Sequence, residues 1–228
     1  MAKHAYHHGN LRPALIKAAL KAIAIEGPDK FTLRDVARRA GVSAPAVYRH
    51  FESKEDLLIA VVGDAAERLG AALADAVARA PDDPIERFRA TGIAYVKFAV
   101  GNPEHFRALY LPGFQQRLPP EISKGQAHWQ QTERARLAGA QEAGQLAKLP
   151  LDEILLSASA VVHGLAHMIV SGQFGEVDEA RAVELALVVT RAIGLGFIPR
   201  TDTLVDPRDG RVTPGVPQQP NAWREAGQ

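Results

Sequence analysis

The run from Phe31 to Leu58, FTLRDVARRAGVSAPAVYRHFESKEDLL, predicts two short helices joined by a tight turn, followed by the start of a third helix. Thr32 can cap the first helix, and Asp35 three residues on completes the T-x-x-D form of a capping box. Gly41 can end that helix, because glycine accepts a left-handed backbone without a steric cost. Together these residues limit the first helix to about two turns.

A second capped helix follows the turn. Ser43 is expected to cap it, and we predict that it runs from Ala44 to about Phe51. Ser53 can then cap a third helix, with Asp56 three residues along. Two helices around a short glycine turn describe a helix-turn-helix, a motif that places its second helix in the major groove of DNA. The alternative is an ordinary three-helix packing motif with no role in DNA binding.

The outward residues of the second helix suit a contact with DNA. Its small residues let the backbone approach closely, and the residues after them carry hydroxyl, guanidinium and imidazole donors. Lys54 stands at the N-terminus of the third helix, where the helix dipole and free N–H groups favour a phosphate. The outward residues of the second helix are Ser43, Ala44, Ala46, Tyr48, Arg49 and His50.

Charge and composition point the same way. Residues 1–55 carry ten Lys or Arg against five Asp or Glu, while the 228-residue chain has a formal net charge of +1, so the remainder is net acidic. A basic module joined to an acidic one is expected of a nucleic-acid-binding protein. We expect a cytoplasmic protein without a membrane partner, because we find neither a secretory leader nor about 20 uninterrupted apolar residues.

Enzymatic chemistry is not expected. The chain has no cysteine, which excludes disulfides, thiolate catalysis and cysteine-ligated zinc. It also lacks a G-x-S-x-G elbow, a phosphate-binding glycine loop and an H-E-x-x-H motif, so we assign no catalytic residue and no cofactor. His163 and His167 have the i, i+4 spacing of a metal pair, but no third ligand is evident, which favours packing or pocket histidines. The N-terminal His4, His7 and His8 are open to three readings: metal ligands, a basic arm or an unordered terminus.

Apolar periodicity predicts an all-α protein. The helix over 152–172 is apolar on nearly all sides, so we expect it to be buried on all sides, in part against a second subunit. With the last helix it forms our predicted homodimer interface. Domains are expected at 1–55 (helix-turn-helix), 56–198 (helical bundle) and 199–228 (an extended or disordered tail, with a regulatory role as the alternative). The predicted helices cover about 10–26, 54–80, 85–100, 105–111, 120–148, 152–172 and 178–194, besides the two of the helix-turn-helix.

The run T-L-R-D-V-A-R-R-A-G-V-S-x-x-A-V-Y-R-H-F-x-S-K-E-D-L-L resembles the DNA-binding domain of the tetracycline-repressor-like (TetR/AcrR) family over roughly residues 7–60. The segment A-Y-V-K-F-A-V-G-N-P-E-H-F-R-A-L-Y, with V-H-G-L-A further on, resembles the WHG-type regulatory domain over roughly residues 85–175. That type is named for Trp-His-Gly, and here Val162 stands in the tryptophan position before His163 and Gly164.

The resemblance implies a dimeric repressor that binds a double-stranded DNA operator and responds to an unidentified small-molecule effector. The rival readings are a ligand-independent activator and an architectural DNA binder. Arg34, Ala44, Pro45 and Ala46 would face base edges, and Thr32, Ser43, Tyr48, His50 and Lys54 would contact phosphates. The effector pocket of the helical bundle would draw on Tyr95, Phe98, Phe106, Tyr110, Phe114, Trp129, His163 and His167.

Overall fold

The computed structural model describes residues 11–197 and, beyond them, the backbone of two short strands. Residues 11–197 form an all-α fold, as predicted. Its helices are α1 (Leu11–Glu26), α2 (Leu33–Ala40), α3 (Ala44–Tyr48), α4 (Lys54–Arg79), α5 (Pro84–Gly101), α6 (Pro103–Leu109), α7 (Pro120–Glu142), α8 (Leu151–Val170) and α9 (Glu179–Phe197), with a short 3-10 helix at Gln115–Arg117. The strands β1 (Leu204–Val205) and β2 (Val212–Thr213) pair antiparallel.

Several predictions on the termini fall outside the described residues: the start of the first predicted helix at residue 10, the three N-terminal histidines and most of the 199–228 tail. The described residues divide into two compact units. The first unit contains the described residues of Met1–Asp75 and Lys97–His128. The second unit contains the described residues of Ala76–Val96 and Trp129–Gln228. Helices α4, α5 and α7 each contribute residues to both units. The domain bounds drawn from the sequence stay predictions.

The capping box at the start of α2 is confirmed. The Asp35 N–H donates to Oγ1 of Thr32 at 3.2 Å, and the Thr32 N–H donates to Oδ2 of Asp35 at 3.0 Å. Gly41 ends α2 in the left-handed region, at φ 70° and ψ 28°. The cap of α4 is also as predicted, since the Asp56 N–H donates to the Ser53 hydroxyl at 3.0 Å.

The second helix of the helix-turn-helix differs from its prediction in two respects. Ser43 occupies the N-cap position of α3, but its side chain makes no capping hydrogen bond. The helix ends at Tyr48 instead of continuing to about Phe51. Phe51 is nevertheless buried, because the segment after α3 turns back toward the core of the first unit. Helices α1, α2 and α3 surround that core, with Val47 fully buried in it.

In the second unit, α7 and α8 begin or end at different residues from those expected. Helix α7 ends at Glu142, because Gly144 adopts φ 74° and the Gln145 N–H returns to the Ala140 carbonyl at 2.9 Å. Asp152 does not cap α8: Pro150 holds the cap position, and Asp152 lies in the first turn, paired with Arg134.

The predicted burial of the apolar helix 152–172 on all sides, in part against a second subunit, stays a prediction, because the single chain covers only part of α8. Helix α8 buries Ile154, Leu165, Ala166 and Ile169, whereas Leu156 is 71% exposed. By length and composition alone, α8 is also long and apolar enough to cross a membrane. One such helix is weak evidence of a span, because core and interface helices of soluble proteins have the same composition.

Candidate nucleic-acid interface and effector site

The exposed surface of the helix-turn-helix is polar and basic. Arg34 lies exposed in the first turn of α2, and within the described residues its side chain makes no hydrogen bond or ion pair. At the other end of the motif, Tyr48, Arg49 and His50 are exposed. These are the side chains left to interact with something outside the chain. Thr32, Ser43 and Pro45 are exposed as well, and Ala44 is partly so.

Ala46 stands apart from this group. It was expected to face base edges, but only 6% of it is exposed, and it packs with Val47 into the core of the first unit. The face of α3 that remains outward at this point is formed by Pro45 and Ala44.

Contacts from neighbouring helices fix the motif in place. Arg39 of α2 forms an ion pair with Glu26 at the end of α1. The guanidinium of Arg12 lies 5.2 Å from the centroid of the Phe51 ring, a cation–π contact between α1 and the end of the motif. Hydrogen bonds from Thr32 lower the pKa of Asp35 below its usual value, which keeps the capping carboxylate charged.

Lys54 has a structural contact that the sequence did not indicate. Its ammonium donates to the carbonyl oxygen of Asp29 at 2.8 Å and lies 4.6 Å from the centroid of the Phe31 ring. The lysine therefore ties the start of α4 to the segment before α2. An ammonium has three donors, so donors remain for a phosphate at the same place.

A polar cluster in the second unit joins α5 to α8. The hydroxyl of Tyr95 lies 2.9 Å from Nδ1 of His163, and the ring of His167 follows one turn along α8, with its centroid 6.4 Å from that of His163. Burial lowers the pKa of His163, and the neighbouring His167 lowers it further. The imidazole is therefore held neutral, as a hydrogen-bonding group and not a cation.

The other predicted pocket residues are distributed over both units. In the first unit, Phe98 and Phe106 are buried in the core, and Phe114 packs against it. Tyr110 is about half exposed, with its ring edge-on to Phe106 at 5.4 Å. Trp129, in the second unit, is partly buried. The structure therefore brings Tyr95, His163 and His167 together, and separately Phe106 and Tyr110.

Glu133 is a buried carboxylate that the sequence analysis missed. Only 4% of the residue is exposed, and Oε1 accepts from Arg136. Oε2 is buried and has no hydrogen-bond partner within the described residues. The signal was present, because Glu133 shares the i, i+4, i+7 spacing of the buried Leu137 and Ala140. A buried acceptor of this kind calls for a donor from water or a ligand.

A second missed network joins α6 to α4 in the first unit. Oδ2 of Asp64 accepts from Nε of Arg68 at 2.7 Å and lies 3.3 Å from Nε2 of His105. Burial and the Arg68 charge lower the pKa of His105, and the Asp64 carboxylate partly offsets them. Over residues 11–197 no group of three or more His, Asp or Glu side chains is placed to hold a metal ion.

Two family models match separate segments of the chain. Residues 15–61 match the model described as "Bacterial regulatory proteins, tetR family", which contains the helix-turn-helix. Residues 88–191 match "Tetracyclin repressor-like, C-terminal domain", which contains Tyr95 and both α8 histidines. The second match overlaps the segment in which the WHG-type resemblance was found.

Individual proteins resemble the chain over different lengths. The HTH-type transcriptional regulator BetI of Rhizobium meliloti (strain 1021) is 38% identical over 87 residues, which are 38% of this chain and 41% of that protein. The chain thus spans less than half the length of this curated relative. A solved structure of a Rhodococcus sp. RHA1 protein of unknown function is 29% identical, with a TM-score of 0.67, over 86% of this chain and 99% of that one. A TetR family regulator from Marinobacter aquaeolei VT8 shares the fold at 21% identity and a TM-score of 0.64, over 80% and 94% of the two chains.

Proposed function

Because this chain belongs to the tetR family of bacterial regulatory proteins, we propose that it is a homodimeric, sequence-specific DNA-binding transcriptional regulator. We further propose that it represses transcription and works in the cytoplasm without enzymatic activity. A small-molecule effector would change its affinity for the operator, by weakening or by strengthening DNA binding. The observation that carries the proposal is the exposed, basic surface of a helix-turn-helix whose first helix has both of its predicted caps, with Arg34 unengaged within the described residues.

The contacts with DNA follow from the exposed side chains. Arg34 is the strongest candidate for base readout, since a guanidinium can bind O6 and N7 of guanine together. Ala44 and Pro45 give α3 a small outward face, so that its backbone can come close to the groove. We assign phosphate contacts to Ser43, Tyr48, His50 and the remaining donors of Lys54. The hydroxyl and the backbone N–H of Thr32 both donate to Asp35, so we no longer assign Thr32 a phosphate. Ala46 is buried, so its part is to hold α3 on the core.

The dimer would be formed by α8 and α9. Both helices expose large apolar side chains in the single chain: Leu156 on α8 and Leu187, Val188 and Leu195 on α9. Contiguous apolar surface of this kind marks an interface in soluble proteins. A two-fold dimer would present two recognition helices to an operator with matching symmetry, with half-sites about 34–36 Å apart or at another groove repeat.

The effector site would lie in the second unit, with Tyr95, His163 and His167 as its polar residues and Trp129 as a candidate aromatic one. Phe98, Phe106 and Tyr110 belong to the first unit, where Phe98 and Phe106 are core residues. The neutral Tyr95–His163 pair suits an uncharged polar group of the ligand. Effector binding shifts DNA affinity only if it distinguishes two conformations. We propose that it displaces α4, the helix that begins at Lys54.

Selection of random duplex DNA on the purified protein at near-physiological salt tests the proposal. An enriched two-fold symmetric site supports it. A steep salt dependence with no enriched sequence would indicate an architectural DNA binder, and absence of binding with and without candidate effectors would refute the helix-turn-helix assignment. Reporter expression from the selected site distinguishes repression from activation.

The variant Arg34→Ala tests the proposed base contact directly. We expect it to weaken the selected site by about 1–3 kcal/mol and to relax specificity at one base pair of each half-site. Lys30→Ala, an exposed lysine outside the assigned contacts, is the control. If Arg34→Ala left every base preference unchanged, Arg34 would be a backbone contact.

A further inference from the structure

One face of α9 combines apolar and charged residues, and four of its five positions are symmetric about the midpoint between residues 187 and 188. Glu184, Leu187, Val188, Arg191 and Leu195 follow at intervals of three, one, three and four residues, which places them on one side of a helix. All five are exposed in the single chain, and Val188 is 65% exposed. We call these five residues the α9 face.

The charges on the α9 face are poorly compensated within the chain. Arg191 makes no ion pair within the described residues, and its charge opposes that of Arg89 on α5. Glu184 pairs with Arg181 at 2.8 Å, but both side chains are more than 60% exposed, and such a pair contributes little. Burying the apolar residues of this face therefore requires an acidic partner for Arg191.

A second copy of the same face supplies that partner. Positions 184 and 191 are equally far from the midpoint between Leu187 and Val188. Two α9 helices that cross antiparallel about that midpoint place Glu184 opposite Arg191 of the partner subunit, and the reciprocal pair forms by symmetry. Each charge then lies only about 5 Å along the helix from the crossing point, so the pairs hold even when the helices cross at an angle. A parallel arrangement would set Arg191 against its own symmetry mate.

We propose that the homodimer is registered by this antiparallel crossing of α9 at Leu187 and Val188, with two reciprocal ion pairs between Glu184 and Arg191 of the partner subunit. The inference rests on the dimer in the proposed function and adds its register and its specificity. The ion pairs favour self-association of this chain over pairing with a relative that lacks the same charge order.

Charge reversal tests the pairs. Glu184→Arg and Arg191→Glu should each weaken the dimer about tenfold or more in sedimentation equilibrium, because each places like charges in two symmetric positions. The double variant should recover to within about threefold of the natural chain. Arg181→Glu makes the same charge change on the same helix, opposite Gly194, and should have a much smaller effect. Single variants that dimerise normally, or a double variant that does not recover, would overturn the register and leave the dimer itself standing.

Cysteine scanning tests the crossing point independently. The chain has no cysteine, so each single variant reports on one position only. Val188→Cys lies beside the proposed axis and should form an intersubunit disulfide under mild oxidation. Leu195→Cys lies on the same face, but the two copies would be about 20 Å apart along the helix, beyond disulfide reach. Efficient cross-linking at 195 with none at 188 would refute the crossing point, and a natural chain that sediments as a monomer would refute the dimer as well.

Discussion

Gly92 marks a close approach of α5 to two other helices of the second unit. A Cβ added at this position would lie 3.2 Å from Cγ2 of Thr190 on α9 and 3.2 Å from Cγ1 of Val162 on α8. Comfortable carbon–carbon contacts are about 3.5–4.0 Å, so both neighbours must move by a few tenths of an ångström. The two methyl groups belong to different helices. A shift of α5 away from one helix therefore does not relieve the close contact with the other.

Two opposing effects set the expected result for Gly92→Ala. Alanine gains about 1 kcal/mol over glycine inside a helix, and overpacking a core costs about 1–3 kcal/mol. The net change in the free energy of unfolding is therefore between about zero and a loss of 2 kcal/mol. Gly139→Ala, in α7 of the same unit, meets no atom within 4 Å and should gain about the full 1 kcal/mol. The two variants should thus differ by about 1–3 kcal/mol.

Urea unfolding followed by circular dichroism at 222 nm measures this difference, with the protein concentration held fixed because dimerisation shifts the apparent stability. Thr190→Ser provides a rescue. It removes Cγ2 but keeps the hydroxyl, which donates to the Ala186 carbonyl at 2.7 Å. Thr190→Ser alone should lower the free energy of unfolding by about 1 kcal/mol, because a buried methyl group is lost. In the presence of Gly92→Ala the same change should lower it by less or not at all. If Gly92→Ala stabilised the protein as much as Gly139→Ala does, the close packing of α5 on α8 and α9 would be refuted.

Two further predictions concern the dimer and acid stability. Leu156 on α8 and Ile25 on α1 are 71% and 70% exposed. If α8 is buried in the dimer, Leu156→Ala should remove about 1–2 kcal/mol of dimerisation free energy per subunit, which raises the dimer dissociation constant about 30- to 700-fold. Ile25→Ala should leave the dissociation constant unchanged in the same sedimentation experiment. Burial and then His167 lower the pKa of His163, so the unfolded chain binds the proton first and stability should fall as the pH drops below about 6.5. The urea midpoint should fall less between pH 7.5 and 5.5 in His163→Gln than in the natural chain, whereas His50→Gln, at an exposed position, should behave like the natural chain. An equal fall in the natural chain and both variants would contradict this assignment.

Local features of the helix-turn-helix could be predicted because the residues that decide them are neighbours in sequence. Thr32 and Asp35 satisfy each other's backbone, and Gly41 alone supplies the left-handed residue, so three positions fix both ends of α2. The same reasoning was less successful for α3. Ser43 was assigned as a cap from its residue type, but its side chain makes no such bond, and Ala46 faces the core that α1 and α2 complete.

Burial could not be predicted for α8, because its composition suits a core, an interface and a membrane span alike. What distinguishes them is which faces the rest of the chain covers, and α9 covers only part of the helix. The same limit applies to the polar contacts of the second unit. Tyr95 and His163 are 68 residues apart, and nothing in either local pattern indicates the hydrogen bond between them.

Val162 shows how the fold accounts for a departure that the sequence alone left unexplained. The resemblance to the WHG type places a tryptophan at this position, and here one methyl group of the valine lies 3.2 Å from where a Cβ of Gly92 would stand. An indole pointing along the same direction would occupy the backbone of α5. The chain therefore combines a glycine on α5 with a small residue on α8. The pair formed by Tyr95 and His163 joins the same two helices: Tyr95 follows Gly92 by three residues, and His163 follows Val162 by one. The small residues at positions 92 and 162 thus keep α5 and α8 close beside the Tyr95–His163 pair.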